Sequence, residues 1–281
     1  MVKSTDPSKV QFDPLLRVGN KEDGLAYYVF NPEGTESVLL LHGAMTGAPE
    51  WDLVIPHFSE QYHLLVPDLP LHNNSKDMKL ENAGIDTGNV LRDLVKSAAK
   101  DGQAHIVGMS MGAHIGRRLA VQCPDVVKTC FLSGYKRFDL LPLKSYLPHI
   151  VFTAETIVGS KIPKSWMDGI EHTTNITTPH DFAHFKKVWN LVTDDGDVRE
   201  KPWEARTLVV AASKGGIIPT NDSTKDAREL ALLAQQKNLE STAIQNKRMR
   251  HAWIRQDPKL VAEATMCWIE SRPLPDGFEP I

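Results

Sequence analysis

Gly108-Met109-Ser110-Met111-Gly112 lies between an apolar run, Ala104 to Val107, and a segment with helical spacing that ends at Cys123-Pro124. Strand, sharp turn and helix therefore arrive in the order that a nucleophile elbow needs. Such a turn holds its serine in a strained backbone conformation, and a side chain at either flanking glycine would collide with the neighbouring strand or helix. The reading makes Ser110 the candidate nucleophile.

Outward from this stretch, short strand-like runs alternate with helical segments. The runs are Leu25 to Phe30, Val38 to Leu41, His63 to Val66, Ala104 to Val107, Lys128 to Leu132, Thr207 to Ala211 and Glu240 to Gln245. Val38-Leu39-Leu40-Leu41 and Leu208-Val209-Val210-Ala211 are continuously apolar, as strands are when helices cover both faces of a parallel sheet. Thr87 to Lys100 places Val90, Leu91, Leu94, Val95 and Ala98 on one helical face, and Asp257-Pro258 offers a cap followed by proline at the first helical position. The alternation predicts an α/β fold with a mostly parallel, doubly wound sheet. Between Gly134 and Ala205 it lapses, and prolines, three tryptophans and helical fragments take its place. Residues 134–205 are read as a helical lid inserted into a core of residues 1–133 and 206–281, above the carboxyl edge of the sheet where open α/β folds bind ligands.

Composition narrows the partners. At 281 residues and 41% hydrophobic content the chain can bury a substantial core. Its 32 basic and 35 acidic residues leave a formal charge of -3, too little to recruit nucleic acid or an anionic membrane. No window reaches bilayer-spanning length, and Met1 to Pro7 lack the apolar core of a signal peptide, so the cytoplasm is expected. Three cysteines, with Cys130 and Cys267 in apolar patterns, predict no disulfide framework. A homodimer is left open, and the reading calls for no cofactor. His180-Asp181-Phe182-Ala183-His184 sets two imidazoles one helical turn apart, but aspartate stands where a metalloprotease base would be glutamate and no third ligand is evident, so no metal is expected.

Taken together, Leu41-His42-Gly43-Ala44, Pro67-Asp68-Leu69-Pro70, the turn at Ser110 and His251-Ala252-Trp253 resemble the α/β-hydrolase superfamily in order and spacing, over roughly residues 25 to 270. The resemblance implies that His251, in the loop after the last strand, is the base that takes the Ser110 proton. It implies an oxyanion hole made of the backbone amides of Met111 and Ala44. His42 is expected to be structural, and Asp68 to organise the turn before Leu71. That turn, Leu71-His72-Asn73-Asn74-Ser75, departs from the family's Gly-His-Gly-x-Ser. Met45, Met109, Met111, Trp51, Trp166 and Trp189 are offered as an apolar pocket. Epoxide hydrolases and haloalkane dehalogenases carry aspartate where this chain has Ser110.

One part of the pattern is missing. The loop after the penultimate strand reads Ala212-Ser213-Lys214-Gly215-Gly216-Ile217-Ile218-Pro219, so Gly215 occupies the seat of the family's acid, and the alternative seat holds Ser133-Gly134-Tyr135. The acid is left unassigned among Asp139, Asp222 and Asp181, with a hydroxyl, water or carbonyl, or a reaction that asks less of the base, as other solutions. Lys247, Arg248, Arg250 and Arg255 around His251 are read first as solvated side chains; if close, they would oppose its protonation or bind an anionic substrate. The leading expectation is a serine hydrolase that cleaves an ester or lactone of a small, fairly apolar metabolite through an acyl-enzyme. The alternatives are a non-hydrolytic Ser/His enzyme acting on carbon–carbon bonds, which the empty acid seat favours, and a ligand-binding receptor with little turnover.

Overall fold

Consecutive side chains of a strand point to opposite faces, so an unbroken apolar strand must find a core on each side. Leu39 and Leu41 enter one core while Val38 and Leu40 enter another, and all four are fully buried. The computed structural model describes residues 10–138, 146, 148–149, 152–153, 181–193, 198–215 and 221–281. Its sheet contains β1 (Leu16–Arg17), β2 (Ala26–Phe30), β3 (Glu36–Leu41), β4 (Tyr62–Pro67), β5 (Ala104–Met109), β6 (Val127–Ser133), β7 (Arg206–Ala212), β8 (Thr242–Asn246) and β9 (Glu279–Pro280). The spatial order is β1-β2-β4-β3-β5-β6-β7-β8-β9. From β4 to β8 the neighbours are parallel, while β1, β2 and β9 pair antiparallel at the edges.

The helices are α1 (Ala83–Ala98), α2 (Met111–Gln122), α3 (Phe182–Thr193), α4 (Thr224–Gln235), α5 (Trp253–Gln256) and α6 (Pro258–Ile269). Side chains of α1 to α4 join the core that holds Leu39, whereas α5, α6 and the segment around Trp51 join the core that holds Leu40. The sheet is therefore covered on both faces, as its apolar strands require. Helix α6 begins as its sequence predicts, with Asp257 accepting the Leu260 N–H at 3.0 Å and Pro258 following. Helix α1 starts four residues before the expected Thr87, because Asp86 gathers the N–H groups of Glu81 and Asn82 at 2.7 and 2.9 Å and organises an earlier first turn.

Register sets the site. Leu41 lies beside Gly108, Met109 beside Ser133, Ser133 beside Val210 and Ala212 beside Asn246. The carboxyl ends of β3, β5, β6, β7 and β8 thus stop along one edge, and the loops that leave them face one another. Cys123, Cys130 and Cys267 are free thiols in buried positions. No helix among the described residues is long and apolar enough to cross a membrane.

Candidate active site

Ser110 sits where β5 turns into α2, at φ 54° and ψ -112°, a left-handed conformation that costs a non-glycine residue of order 1–3 kcal/mol. Its surroundings hold it there. The Ser110 N–H donates to the Ser133 carbonyl at 2.8 Å. Two residues on, a Cβ placed on Gly112 would stand 2.1 Å from the Leu41 carbonyl oxygen, so helix α2 leaves the turn in backbone contact with β3. The glycine is required by that approach.

His251 arrives from the loop after β8. Two residues later Trp253 is fully buried and donates its indole N–H to the Ser133 hydroxyl at 2.8 Å, which ties this loop to the end of β6. Gly134, the next residue of β6's exit, has φ 76°, and a Cβ on it would stand 2.7 Å from Cε1 of His251 and 3.4 Å from the Ser110 nitrogen. Imidazole and serine therefore flank the same glycine. Both line a cavity of about 200 Å³, together with Ala44, Met45, Met111, Phe185, Val188 and Trp189.

The ring nitrogen of His251 that bears the orienting hydrogen bond, Nδ1, donates to Oδ1 of Asp222 at 2.5 Å. The Asp222 side chain is only 2% exposed. Its second oxygen accepts the Ala212 N–H at 2.8 Å, while its own N–H donates to the Ala212 carbonyl at 2.9 Å. This double tie to the last residue of β7 brings a carboxylate seven positions beyond Gly215 back to the end of the strand. Gly215 itself donates its N–H to Asn221 Oδ1 at 2.9 Å. Of the three acids considered, Asp222 reaches the histidine. Asp181 instead accepts the Ala183 N–H at 2.9 Å at the start of α3, and Asp139 lies outside the described residues.

The charge that acts on His251 comes chiefly from carboxylates. Burial acts to lower its pKa, but the Asp222 charge and hydrogen bond, reinforced by Glu50, outweigh burial and the opposing Lys136, and the net shift is upward. The four neighbouring cations do not govern it. Lys247 pairs with Glu279 at 2.6 Å, and Arg255 pairs with Asp52 and donates to the Glu50 carbonyl.

The loop after β3 was only partly legible. His42 is fully buried, accepts the Leu69 N–H on Nε2 at 2.9 Å and places Nδ1 at 2.7 Å from the Gly43 carbonyl; burial lowers its pKa to about 4, so it is a neutral structural link. Asp68 accepts from Ala48 N, Asn73 Nδ2, Asn74 N and Asn74 Nδ2, and it organises a turn in which Leu71 and Asn73 have φ of 69° and 39°. Glu50 was missed. It receives the Gly43 N–H at 2.6 Å and the Thr46 hydroxyl at 3.0 Å, and burial raises its pKa. The only hint was a carboxylate set beside Trp51 in an otherwise apolar stretch. With the Gly43 amide taken by Glu50 and the Met45 amide donating to His72 Nε2 at 3.1 Å, the Ala44 amide between them has no partner among the described residues. The Met111 amide, first in α2, has no intrahelical acceptor either.

The apolar pocket expectation divides. Met45, Met111 and Trp189 line the cavity, Met109 and Trp51 pack in the core on the far face of the sheet, and Trp166 lies outside the described residues. His180 of the two-imidazole motif is also outside them, and no group of three metal-ligating side chains occurs among the described residues.

Comparison with known proteins agrees with this architecture. A family model described as "alpha/beta hydrolase fold" matches residues 36–269. An AB hydrolase superfamily protein of Gibberella zeae is 34% identical, over 93% of this chain and 90% of its own length. The (E)-2-((N-methylformamido)methylene)succinate hydrolase of Acinetobacter baylyi is 26% identical, over 88% of this chain and 95% of its own. Among solved structures, the α/β-hydrolase enzyme MGS-M2 from a Medee basin deep-sea metagenome library superposes with a TM-score of 0.67 at 15% identity, covering 93% of this chain and 99% of that one.

Proposed function

The chain is a member of the α/β-hydrolase family and a hydrolase, and from that premise we propose that it cleaves an ester or lactone of a small, fairly apolar metabolite through an acyl-enzyme on Ser110. His251 takes the hydroxyl proton as Ser110 attacks the carbonyl and returns it to the leaving oxygen; water then repeats the cycle on the acyl group. Asp222 fixes the ring tautomer and stabilises the imidazolium. The amides of Ala44 and Met111 receive the oxyanion, which suits two N–H groups with no other acceptor among the described residues.

The observation that carries the reading is the hydrogen bond from His251 to Asp222 on the wall of the cavity that Ser110 also lines. It supplies the acid that Gly215 left missing, which a conventional Ser/His hydrolase needs. The cavity's apolar lining supports a small, fairly apolar substrate, and the Acinetobacter relative is named for hydrolysis of a small molecule. Residues 134–205 belong to the same proposal as a lid: two of its described parts, residues 134–138 and α3, supply much of the cavity wall. Free, buried cysteines suit a reducing compartment such as the cytoplasm.

The test is covalent. A fluorophosphonate is expected to label the wild-type protein once, on Ser110, and Ser110→Ala is expected to lose the label with its melting temperature intact. Folded wild-type protein that takes no label would refute the acyl-enzyme.

A further inference from the structure

Most of the cavity wall is hydrocarbon, which makes its polar groups easy to account for. Asp222 is spent on His251, Asn221 on the Gly215 amide, and Ser110 and His251 belong to the reactive pair. His114 stacks on Tyr135 with ring centroids 4.5 Å apart. Lys136 remains. It is the one lysine or arginine lining the cavity among the described residues, and none of the described carboxylates forms an ion pair with it. Its ammonium lies 6.0 Å from the Phe138 ring centroid.

The position is set by the backbone. Lys136 stands two residues beyond Gly134, the residue that touches His251, and its charge is felt at the imidazole. A cation on the same cavity wall as a base that must gain a proton works against the reaction as long as it stands alone. A substrate that brings an anion to Lys136 removes that opposition, and its apolar body lies against the hydrocarbon wall of the same cavity. The cavity of about 200 Å³ limits such a substrate to a small one.

We propose that Lys136 is a substrate-recognition residue, and that the preferred substrates are small acyl compounds carrying a free carboxylate beside an apolar body. This deepens the reading of the cavity as the ester-binding site and rests on it. A carboxylate fits the single point charge that lysine presents, whereas a phosphate would call for more donors than this wall offers.

The experiment uses binding alone, so that it stands apart from the chemistry. Monomethyl glutarate, a monoanion, and dimethyl glutarate, its neutral counterpart of nearly the same shape, are titrated into Ser110→Ala protein by calorimetry. The monoanion is expected to bind at least about tenfold more tightly, a difference of about 1.4 kcal/mol. Adding Lys136→Met is expected to abolish that preference, and Lys136→Arg to keep most of it. Lys136 is exposed, so both variants are expected to melt with the parent. Equal affinity for the two esters, a preference that survives Lys136→Met, or binding of neither overturns the proposal. Fluorophosphonate labelling of wild-type protein reports on the acyl-enzyme separately, so a failed carboxylate preference and a failed nucleophile are distinguishable.

Discussion

Asp222 is the residue on which the proposed chemistry turns, because it both orients and charges the site. Replacing it by asparagine preserves shape while removing the negative charge from His251, and turnover is expected to fall by about ten-thousandfold, as in serine proteases whose triad aspartate is neutralised. Steady-state kinetics on a 4-nitrophenyl ester would read this directly; a loss of less than tenfold would deny Asp222 its role. The pH profile follows from the same contacts. A base works only when unprotonated, so kcat/KM is expected to rise with pH through the His251 pKa, which lies above the ordinary 6.5. Glu50→Gln removes a group that raises this pKa and keeps an acceptor for the Gly43 amide, so the rise should move to lower pH with the activity retained. An unmoved profile would show that Glu50 does not act on the histidine.

At the scale of elements, the exits of β3, β5 and β6 are packed so closely that two glycines serve separable purposes. Gly112→Ala puts a methyl group into the Leu41 carbonyl, backbone against backbone, and is expected to cost about 3 kcal/mol or more of stability, seen as a lowered denaturant midpoint. Gly134→Ala drives a methyl group toward the movable His251 ring instead. A displacement of about 1 Å in a catalytic group can cost on the order of a hundredfold, so this variant should lose kcat by that order while losing far less stability than Gly112→Ala. Equal stability losses would mean that His251 is as immovable as backbone.

These elements also show what a sequence can reveal. The strands β3, β5 and β7 were plain because continuous apolar runs fit only a sheet covered on both faces; Ser110 became a candidate because its glycine-flanked turn follows such a run, and His251 because the loop after the last strand resembles that of the family. Asp222 was one of three candidates that the sequence could not separate, because its tie to Ala212, ten positions back, leaves no periodic trace. Glu50 was hidden for a similar reason, since its partner is a backbone amide and not a matching side chain. Whether the four cations around His251 act on it was left open, because proximity along the chain says nothing of which way a long side chain turns.

Across the whole molecule the sheet separates two cores. Leu119 of α2 belongs to one and Leu208 of β7 to the other, and both are fully buried. Each Leu→Ala substitution is expected to cost about 2–5 kcal/mol. Because the two cavities would share no neighbours, the double variant should equal the sum within about 0.5 kcal/mol in chemical denaturation. A larger departure would mean that strain crosses the sheet. The same partition bears on the cavity. Ser110, His251 and Asp222 are anchored to strand ends, whereas Phe185, Val188, Trp189 and Val192 come from α3 alone. The proposed reacting groups and the α3 part of the wall therefore sit on different pieces of chain, so substitutions on that helix face are expected to alter which molecules fit while leaving Ser110, His251 and Asp222 in place, an open route for laboratory evolution.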